Sequence, residues 1–587
     1  MPKPASTPAR RAAAKPGAAK SIAAKSVAAS SGAGNAVGAK AAAAKTVAGA
    51  ASAGKRAAVT ATPGGPAASA ATRPIRFFHR GAVVEVEGLA PTTTVLGWLR
   101  EHARCTGTKE GCNEGDCGAC TVVVGELAEH ADAIGTASAR ATVVGGLSLR
   151  PVNACVRLLP TLDGKALLTV EDLKTIAGGA LHPVQQALVE CHGSQCGFCT
   201  PGFAMTMTAS YERHAEAGTQ PTRQQLADEL AGNLCRCTGY RPIVDAGQRM
   251  FELPPVRLDT APIVAALRTL ALDPPLAYAA HDPAFGALRQ LVAPRTLDAL
   301  AALRESHPEA RLVAGATDVG LWTNKGLRDL GDILYVGDVD ALRRIEVAGS
   351  ELVIGAGAPL EDAWAALAAQ VPELTEVGLR FAGPPVRHAG TLGGNVANGS
   401  PIGDGAPVLI ALDAQIVLRK GGRERRMPLA DFYVDYMKNR LEAGEFVQAL
   451  RVPLPRAGTA VRCWKISKRY DCDISAVCAA FALELDGGVV RSLRLVYGGM
   501  AAIVKRAAHA EAALVGRPWS EANVRAAMAA LAEDFTPLTD MRASAAYRAR
   551  VARNLLLKLW HETRAEAGLG SARTTVWSVL PRAAAAV

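Results

Sequence analysis

The sequence predicts a multidomain α+β protein with a disordered N-terminal tail, and three observations support this fold class. The chain has 587 residues, which is too many for a single hydrophobic core. Two sets of four closely spaced cysteines lie in its first half, and a glycine-rich loop between apolar segments lies in its second half. No apolar run approaches the roughly 20 residues that cross a bilayer.

Residues 1–74 form a tail rich in Ala and Lys, for which we expect disorder because it has almost no large apolar side chain to bury. Residues 1–76 hold 12 Lys and Arg and no acidic residue, whereas the remaining chain carries 53 basic and 54 acidic residues. The net charge of +11 therefore belongs to the tail. A nucleic-acid-binding tail and an organellar transit peptide are alternatives, but we favour a dispensable extension, because RPIRFFHRG is typical of a domain start.

The next domain, residues 75–166, is organised around the segment GTKEGCNEGDCGAC. Cys112, Cys117 and Cys120 follow the spacing C-x4-C-x2-C there, and Cys155 follows on a predicted strand. This spacing, completed by a distant fourth cysteine, is typical of a plant-type 2Fe–2S site. The glycines of the segment allow a loop to wrap a cluster and to direct backbone N–H groups at its sulfurs. We therefore predict a β-grasp, ferredoxin-type domain with these four cysteines as metal ligands.

Residues 167–255 predict a helical domain that carries a second set of four cysteines. Cys196 and Cys199 form a C-x2-C pair, and Cys235 and Cys237 form a C-x-C pair. Four thiolates at helix ends could hold a structural zinc ion. However, C-x-C departs from the usual zinc spacing, and the first site nearby favours a second 2Fe–2S cluster.

A linker is predicted over residues 256–285, which are rich in Pro, Ala and Asp. Residues 286–456 then alternate strand and helix patterns around the loop FAGPPVRHAGTLGGNVANGSPIGDG. Its small residues would let a pyrophosphate approach the backbone closely; a flexible surface loop is the alternative. The segment IGAGAPLEDAW lacks the third glycine of a Rossmann fingerprint, so we predict no such site there. Residues 457–575 predict a last α+β domain.

The chain contains, in this order, the segments GTKEGCNEGDCGACTV, VNAC, QCGFCTPG, NLCRCTGYRPI, LVAGATDVG and GTLGGNVANGSPIGD. Together they resemble the iron–sulfur and flavin subunits of molybdenum hydroxylases, in particular those of the xanthine dehydrogenase type, over about residues 76–570. The resemblance implies two 2Fe–2S clusters, an FAD-binding domain of the vanillyl-alcohol-oxidase/PCMH type, and a C-terminal flavoprotein domain. It assigns FAD contacts to Leu312, Val313, Ala314, Gly315, Ala316, Thr317, Asp318, Val319, Phe381, Thr391, Leu392, Gly393, Gly394, Asn395, Asp404, Val447 and Lys465.

The resemblance also implies an electron-transfer role and gives the chain no catalytic residue of its own. A molybdopterin-binding large subunit would hydroxylate hypoxanthine or xanthine, and the electrons would pass through the helical-domain cluster and the ferredoxin-type cluster to FAD and NAD+. Because the chain ends after the flavin domain, we expect a cytoplasmic α2β2 heterotetramer without membrane or nucleic-acid binding.

Three alternatives stay open. An aldehyde or an N-heterocycle could be the substrate, and O2 could be the final acceptor. A stand-alone redox or nucleic-acid-binding protein that works through its tail is a hypothesis of another class, and it predicts binding that weakens steeply with salt.

Overall fold

The computed structural model describes residues 71–129, 142–570 and 573–574. All of them belong to the second of two compact units, Pro63–Val587. Most of the predicted tail, residues 1–74, lies outside the described residues. Within the described part, no helix is both long enough and apolar enough to span a membrane.

The ferredoxin-type segment forms a six-stranded sheet, in which only the contact between the first and last strands is parallel. The strand order is β2-β1-β6-β3-β5-β4. A short helix, α1 (Val95–Gly97), begins at the cap Thr94 and continues as one π-helical turn, Trp98–His102. The strands are β1 (Ile75–His79), β2 (Ala82–Val86), β3 (Thr121–Leu127), β4 (Thr142–Val144), β5 (Leu147–Asn153) and β6 (Ala166–Leu168).

The helices predicted after this sheet are present. The longest of them begins directly after Cys199, and the next one begins with a capping box of Thr222 and Gln225. They are α2 (Asp172–Ile176), α3 (Pro183–Glu190), α4 (Thr200–Glu216), α5 (Arg223–Glu229) and α6 (Arg241–Arg249).

The prediction of a linker over residues 256–285 is wrong. This segment contains a helix, α7 (Ala261–Leu270), and a strand, β7 (Ala277–Asp282). Its composition was misleading because Pro262 lies in the first helical turn, where proline is tolerated. The helix buries an apolar stripe against the first sheet, formed by Ile263, Leu267 and Leu270.

The following segment, in which flavin contacts are predicted, contains two larger sheets and a small hairpin. The first sheet has the order β7-β8-β10-β9, and the second has the order β11-β12-β17-β13-β14. Its remaining strands are β8 (Ala287–Val292), β9 (Arg311–Val313), β10 (Ile333–Tyr335), β11 (Ile345–Ala348), β12 (Glu351–Gly355), β13 (Gln415–Lys420), β14 (Arg423–Pro428), the hairpin β15 (Tyr433–Asp435) and β16 (Lys438–Asn439), and β17 (Phe446–Pro453).

Short helices connect these strands, and most of the glycine-rich loop is helical. They are α8 (Leu297–Ser306), α9 (Val319–Asn324), α10 (Asp340–Arg343), α11 (Leu360–Gln370), α12 (Thr375–Arg380), α13 (Pro384–Ala389), α14 (Leu392–Asn398) and α15 (Gly405–Ala411). Single 3-10 turns occur at Leu159–Leu162, Pro372–Leu374 and Leu429–Asp431.

The last segment is a four-stranded antiparallel sheet covered by helices, as its α+β pattern predicts. The sheet runs in the order β18-β19-β20-β21. Its elements are β18 (Ala460–Ile466), β19 (Val477–Asp486), β20 (Val489–Gly498), β21 (Lys505–Arg506), α16 (Ala508–Ala512), α17 (Glu521–Asp534) and α18 (Ala545–Thr563).

The hydrophobic cores cross the boundaries predicted from sequence. One core joins Phe77 of the six-stranded sheet to Tyr278 and Ile333 of the β7-β8-β10-β9 sheet. Another core joins Trp364 of α11 to Val496 of the last sheet. Because closely packed cores resist displacement of one segment against the next, the sites on these segments are held at fixed relative positions.

Candidate functional site

The first cysteine set comprises Cys112, Cys117, Cys120 and Cys155, and the structure brings its thiols together between the π turn and the end of β5. Hydrogen bonds from the thiols of Cys117 and Cys155 lower the pKa of Cys112, and one from Cys155 lowers the pKa of Cys120. The same bonds raise the pKa of the two donors. Four soft sulfur donors fit an iron–sulfur cluster.

The loop around this set has the geometry expected of a cluster loop. The N–H of Cys117 donates to the sulfur of Cys112 at 3.4 Å. Gly118 has a φ of +69°, and a Cβ placed on it would lie 2.3 Å from the carbonyl oxygen of Gly232. Only glycine fits there, because the loop approaches a neighbouring backbone in a left-handed conformation.

The second cysteine set comprises Cys196, Cys199, Cys235 and Cys237, in the loops before α4 and before α6. Its thiols contact each other as two pairs, Cys196 with Cys237 and Cys199 with Cys235. Burial opposes ionisation of Cys235, but hydrogen bonds from Thr238 outweigh it and lower the pKa of that thiol. Burial, together with the hydrogen bond to Cys235, raises the pKa of Cys199 to about 12.

Both sets fit a cluster by the chemistry of their donors. Among the described residues, no group of three His, Cys, Asp or Glu side chains is arranged to hold a single metal ion. The thiols of the first set contact one another in a chain, and those of the second set contact one another in two pairs. The role of the eight cysteines as ligands stays a prediction at this level.

The loops that carry the two sets touch. The N–H of Leu234, which precedes Cys235, donates to the carbonyl oxygen of Cys117 at 2.9 Å. A Cβ placed on Gly202, in the first turn of α4, would lie 2.1 Å from the carbonyl oxygen of Gly118. The sets are therefore joined by backbone contact, with no room for an intervening side chain.

A cavity of about 940 Å³ lies beside the first set, and we call it the large cavity. Its volume falls in the range of small-molecule and cofactor sites. The cysteine loop forms part of its wall through Glu114, Gly115 and Asp116. Thirteen of the predicted FAD contacts line it: Leu312, Ala314, Gly315, Ala316, Thr317, Asp318, Val319, Phe381, Thr391, Gly393, Gly394, Asn395 and Val447.

Local geometry makes this wall suitable for a pyrophosphate-bearing cofactor. A Cβ on Gly315 would lie 1.6 Å from the carbonyl oxygen of Ala389, so only glycine permits this backbone approach. The Oδ1 atom of Asn395 is buried without a hydrogen-bond partner among the described residues. Such an orphaned acceptor indicates a missing donor. Burial raises the pKa of Asp318, whose carboxylate accepts from Asn398 at 3.2 Å.

Phe381 is held in the cavity wall by a buried arginine. The guanidinium of Arg387 donates to the carbonyl oxygens of Phe381 at 3.1 Å and of Ala382 at 2.8 Å, and it pairs with Glu361 at 2.5 Å. The ring of Phe381 packs against Trp364 with centroids 5.6 Å apart.

Four of the predicted FAD contacts do not line the large cavity. Val313 and Leu392 are core residues, 1% and 0% exposed, and Val313 alternates along its strand with residues that face the cavity. Asp404 and Lys465 form a buried ion pair at 2.6 Å, and Ser475 bonds to both. Their polar atoms therefore have partners within the protein.

Sequence reasoning missed two parts of the cavity wall. One is the cysteine loop, which no local sequence pattern places near the cavity, because it ends 261 residues before the glycine-rich loop begins at Phe381. The other is Ala356 and Gly357 of the segment IGAGAPLEDAW, which line the cavity. This segment leads from β12 to α11, but β12 is antiparallel to both of its neighbours, so the segment is no Rossmann turn. Gly355 and Gly357 of that segment could have indicated, from sequence alone, a close approach of the backbone to the cavity.

Comparison with known proteins gives matches over most of the described chain. Four family models match in succession: a 2Fe-2S iron-sulfur cluster binding domain (residues 77–156), a [2Fe-2S] binding domain (169–248), an FAD binding domain in molybdopterin dehydrogenase (285–455) and a CO dehydrogenase flavoprotein C-terminal domain (462–563).

Relatives and solved structures extend this similarity. A xanthine dehydrogenase from Emericella nidulans is 31% identical over 546 residues, which are 83% of this chain and 38% of that protein. An aldehyde oxidase 4 from Cavia porcellus is 32% identical over 507 residues, 76% of this chain and 36% of that protein. A carbon monoxide dehydrogenase structure from Hydrogenophaga pseudoflava is 29% identical, with a TM-score of 0.43, over 45% of this chain and 93% of that chain.

These matches and the sites above define an iron–sulfur flavoprotein with two 2Fe–2S domains and one FAD-binding domain. The chain belongs to the molybdenum hydroxylase family and carries the iron–sulfur and flavin parts of that family. The predicted multidomain α+β layout is thereby confirmed over the described residues. The chain spans less than two fifths of the length of these two relatives.

Proposed function

We propose that this chain is the electron-transfer subunit of a molybdenum-dependent xanthine dehydrogenase. A molybdopterin-binding partner subunit would oxidise hypoxanthine or xanthine, and this chain would pass the electrons to NAD+. The observation that carries the proposal is the unbroken contact from the second cysteine set, through Leu234 and Cys117, to the first set and the large cavity. When bound, 2Fe–2S clusters carry single electrons and FAD stores two, which suits hydride chemistry at one end.

The second cysteine set is the proposed entry for electrons. Cys196 and Cys237 are exposed, and two aromatic side chains beside them, Phe198 and Tyr240, are 47% and 41% exposed. Exposed aromatic side chains are enriched at protein interfaces. We propose that the partner subunit docks on this face and that two copies of each chain assemble as an α2β2 heterotetramer.

The large cavity is the proposed FAD site. The thirteen lining residues named above would contact the cofactor, with Asn395 supplying its orphaned acceptor and Phe381 an aromatic wall. Asp404 would support the site indirectly. Its carboxylate bonds to Lys465 and to Ser475, the two ends of a segment whose residues Cys472, Asp473 and Ile474 line the same cavity. The eight cysteines would ligate the two clusters.

A cytoplasmic location is part of the proposal. All 13 cysteines, each in the described part of the chain, are free thiols, which is typical of a reducing compartment.

An aldehyde-oxidising partner is the second candidate, because the aldehyde oxidase above is as similar to this chain as the xanthine dehydrogenase is. The two are separated by purifying the full chain with its co-purifying subunit and measuring NADH formation with hypoxanthine, xanthine and an aromatic aldehyde. We expect NADH with the purines. Turnover of the aldehyde alone would favour the second candidate, and oxygen consumption without NADH would overturn the assignment of NAD+.

The isolated full chain is the matched control for that assay. It should oxidise NADH with an artificial electron acceptor, because that reaction needs only the flavin. Purine oxidation by the isolated chain would contradict the assignment of purine chemistry to the partner.

A further inference from the structure

Asn233 is a buried polar side chain at the contact between the two cysteine loops. It is 2% exposed and lies two residues before Cys235. Its Oδ1 accepts from the hydroxyl of Thr206 at 2.7 Å, and its Nδ2 donates to the carbonyl oxygen of Gly118 at 3.0 Å and to the hydroxyl of Thr121 at 3.1 Å. Both amide hydrogens and the carbonyl oxygen therefore have partners.

These three bonds connect the segments that carry cysteines of both sets. Gly118 and Thr121 flank Cys120 of the first set, and Thr206 lies on α4, which starts just after Cys199 of the second set. The hydroxyl of Thr121 in turn donates to the same carbonyl oxygen of Gly118, at 2.7 Å, and so closes the network. One side chain thus ties three ligand-bearing segments together.

Asparagine is the residue type that this position requires. An aspartate of the same shape would set a carboxylate oxygen against the carbonyl oxygen of Gly118, and a leucine would leave Gly118 and Thr206 without these partners in a buried place. Satisfied buried networks of this kind fix one local geometry. The side chain of Asn233 adds to the backbone bond from Leu234 to Cys117 and to the close approach of Gly202 to Gly118.

We propose that Asn233 is a positioning residue that fixes the separation between the two iron–sulfur sites. The proposal rests on the assignment of one cluster to each cysteine set. Electron tunnelling weakens steeply with distance, so a small shift of one loop would slow transfer between the sites. The residue itself touches no reacting atom; it acts through the loops that carry the ligands.

The test is electron paramagnetic resonance of the full chain, reduced with dithionite. Two reduced clusters held close together split each other's signals at low temperature, and the splitting reports their separation. We expect Asn233→Leu to reduce or abolish the splitting while iron content and the individual signal positions stay as in the wild type. A retained splitting with full iron content would overturn the proposal.

A second pair of variants decides the case in which Asn233→Leu loses iron. Thr206→Val removes one partner of Asn233. Thr208→Val is the matched control, because Thr208 is also buried on α4 and its hydroxyl donates to the carbonyl oxygen of Ala204 at 2.8 Å. A weaker splitting in Thr206→Val than in Thr208→Val supports the proposal, and equal splittings overturn it.

The outcome separates this proposal from the assigned function. A wild-type chain without two 2Fe–2S signals would overturn the cluster assignment and this proposal with it. A wild-type chain with both signals, in a complex that oxidises no purine, would overturn the proposed function alone.

Discussion

The two cysteine sets have the same donors but differ in burial. Cys120 and Cys155 of the first set are 2% and 1% exposed, and Cys112 and Cys117 are half-buried. Cys196 and Cys237 of the second set are exposed. The comparison shows that the packing around each site, more than the type of its ligands, distinguishes the two sites. The more buried site faces other parts of the same chain, whereas the more exposed site is accessible to a partner.

The largest expected effects come from removing one ligand of each set. Cys155→Ser should cost the first site its iron, about half of the total in a chain with two 2Fe–2S clusters. It should also reduce flavin content, because the next residue, Val156, lines the large cavity. Cys237→Ser should cost the same share of iron but leave the flavin in place. Iron and flavin per chain measure both, and an equal flavin loss in the two variants would contradict the comparison.

A bulky side chain in the large cavity should separate the flavin from both clusters. Asn395→Phe fills space where the wall is built from small residues, and it removes the orphaned acceptor. We expect loss of most of the bound FAD, with both 2Fe–2S signals and the iron content unchanged. Absorbance of the released flavin and iron analysis measure this, and unchanged flavin stoichiometry would remove Asn395 from the site.

Cysteine spacing predicted both sets and the helical segment that carries the second, because ligand patterns and helix caps are local in sequence. The linker prediction was wrong because burial of Leu267 depends on a sheet formed by distant residues. The assignment of Asp404 and Lys465 to the cavity came from their position in a family pattern. Which way a polar side chain points, toward a cofactor or toward a partner such as Ser475, is decided by tertiary packing.

The helical segment that carries the exposed set contains a buried histidine that should make it sensitive to acid. Burial lowers the pKa of His182, the cap of α3, to about 4 from 6.5. The unfolded chain therefore takes up a proton between these values and the folded chain does not, so stability present above pH 6.5 is lost as the pH falls toward 4. The loss attributable to this group is at most about 3 kcal/mol.

His182→Asn keeps a favourable helix cap and removes the titration. We expect the difference in melting temperature between wild type and variant to change steadily between pH 6.5 and pH 4.5, in favour of the variant at the acid end. Iron release at low pH affects both proteins, so the difference isolates the histidine. A difference that does not vary with pH would assign the acid sensitivity to other groups.

The smallest effect is expected from the surface charges of the first cysteine loop. Asp116 pairs with Arg469 at 3.9 Å, with both side chains about half exposed, and such pairs contribute roughly 0–1 kcal/mol. Asp116→Asn should therefore leave the unfolding free energy within about 0.5 kcal/mol of wild type.

Asn153→Leu is the matched contrast, because the buried Nδ2 of Asn153 donates to the carbonyl oxygen of Gly115 in the same loop at 2.7 Å. Its loss should cost about 1–3 kcal/mol, since it leaves a buried acceptor unpaired. Denaturant unfolding measures both; a larger cost for Asp116→Asn would mean that surface charge, and not buried hydrogen bonding, holds this loop.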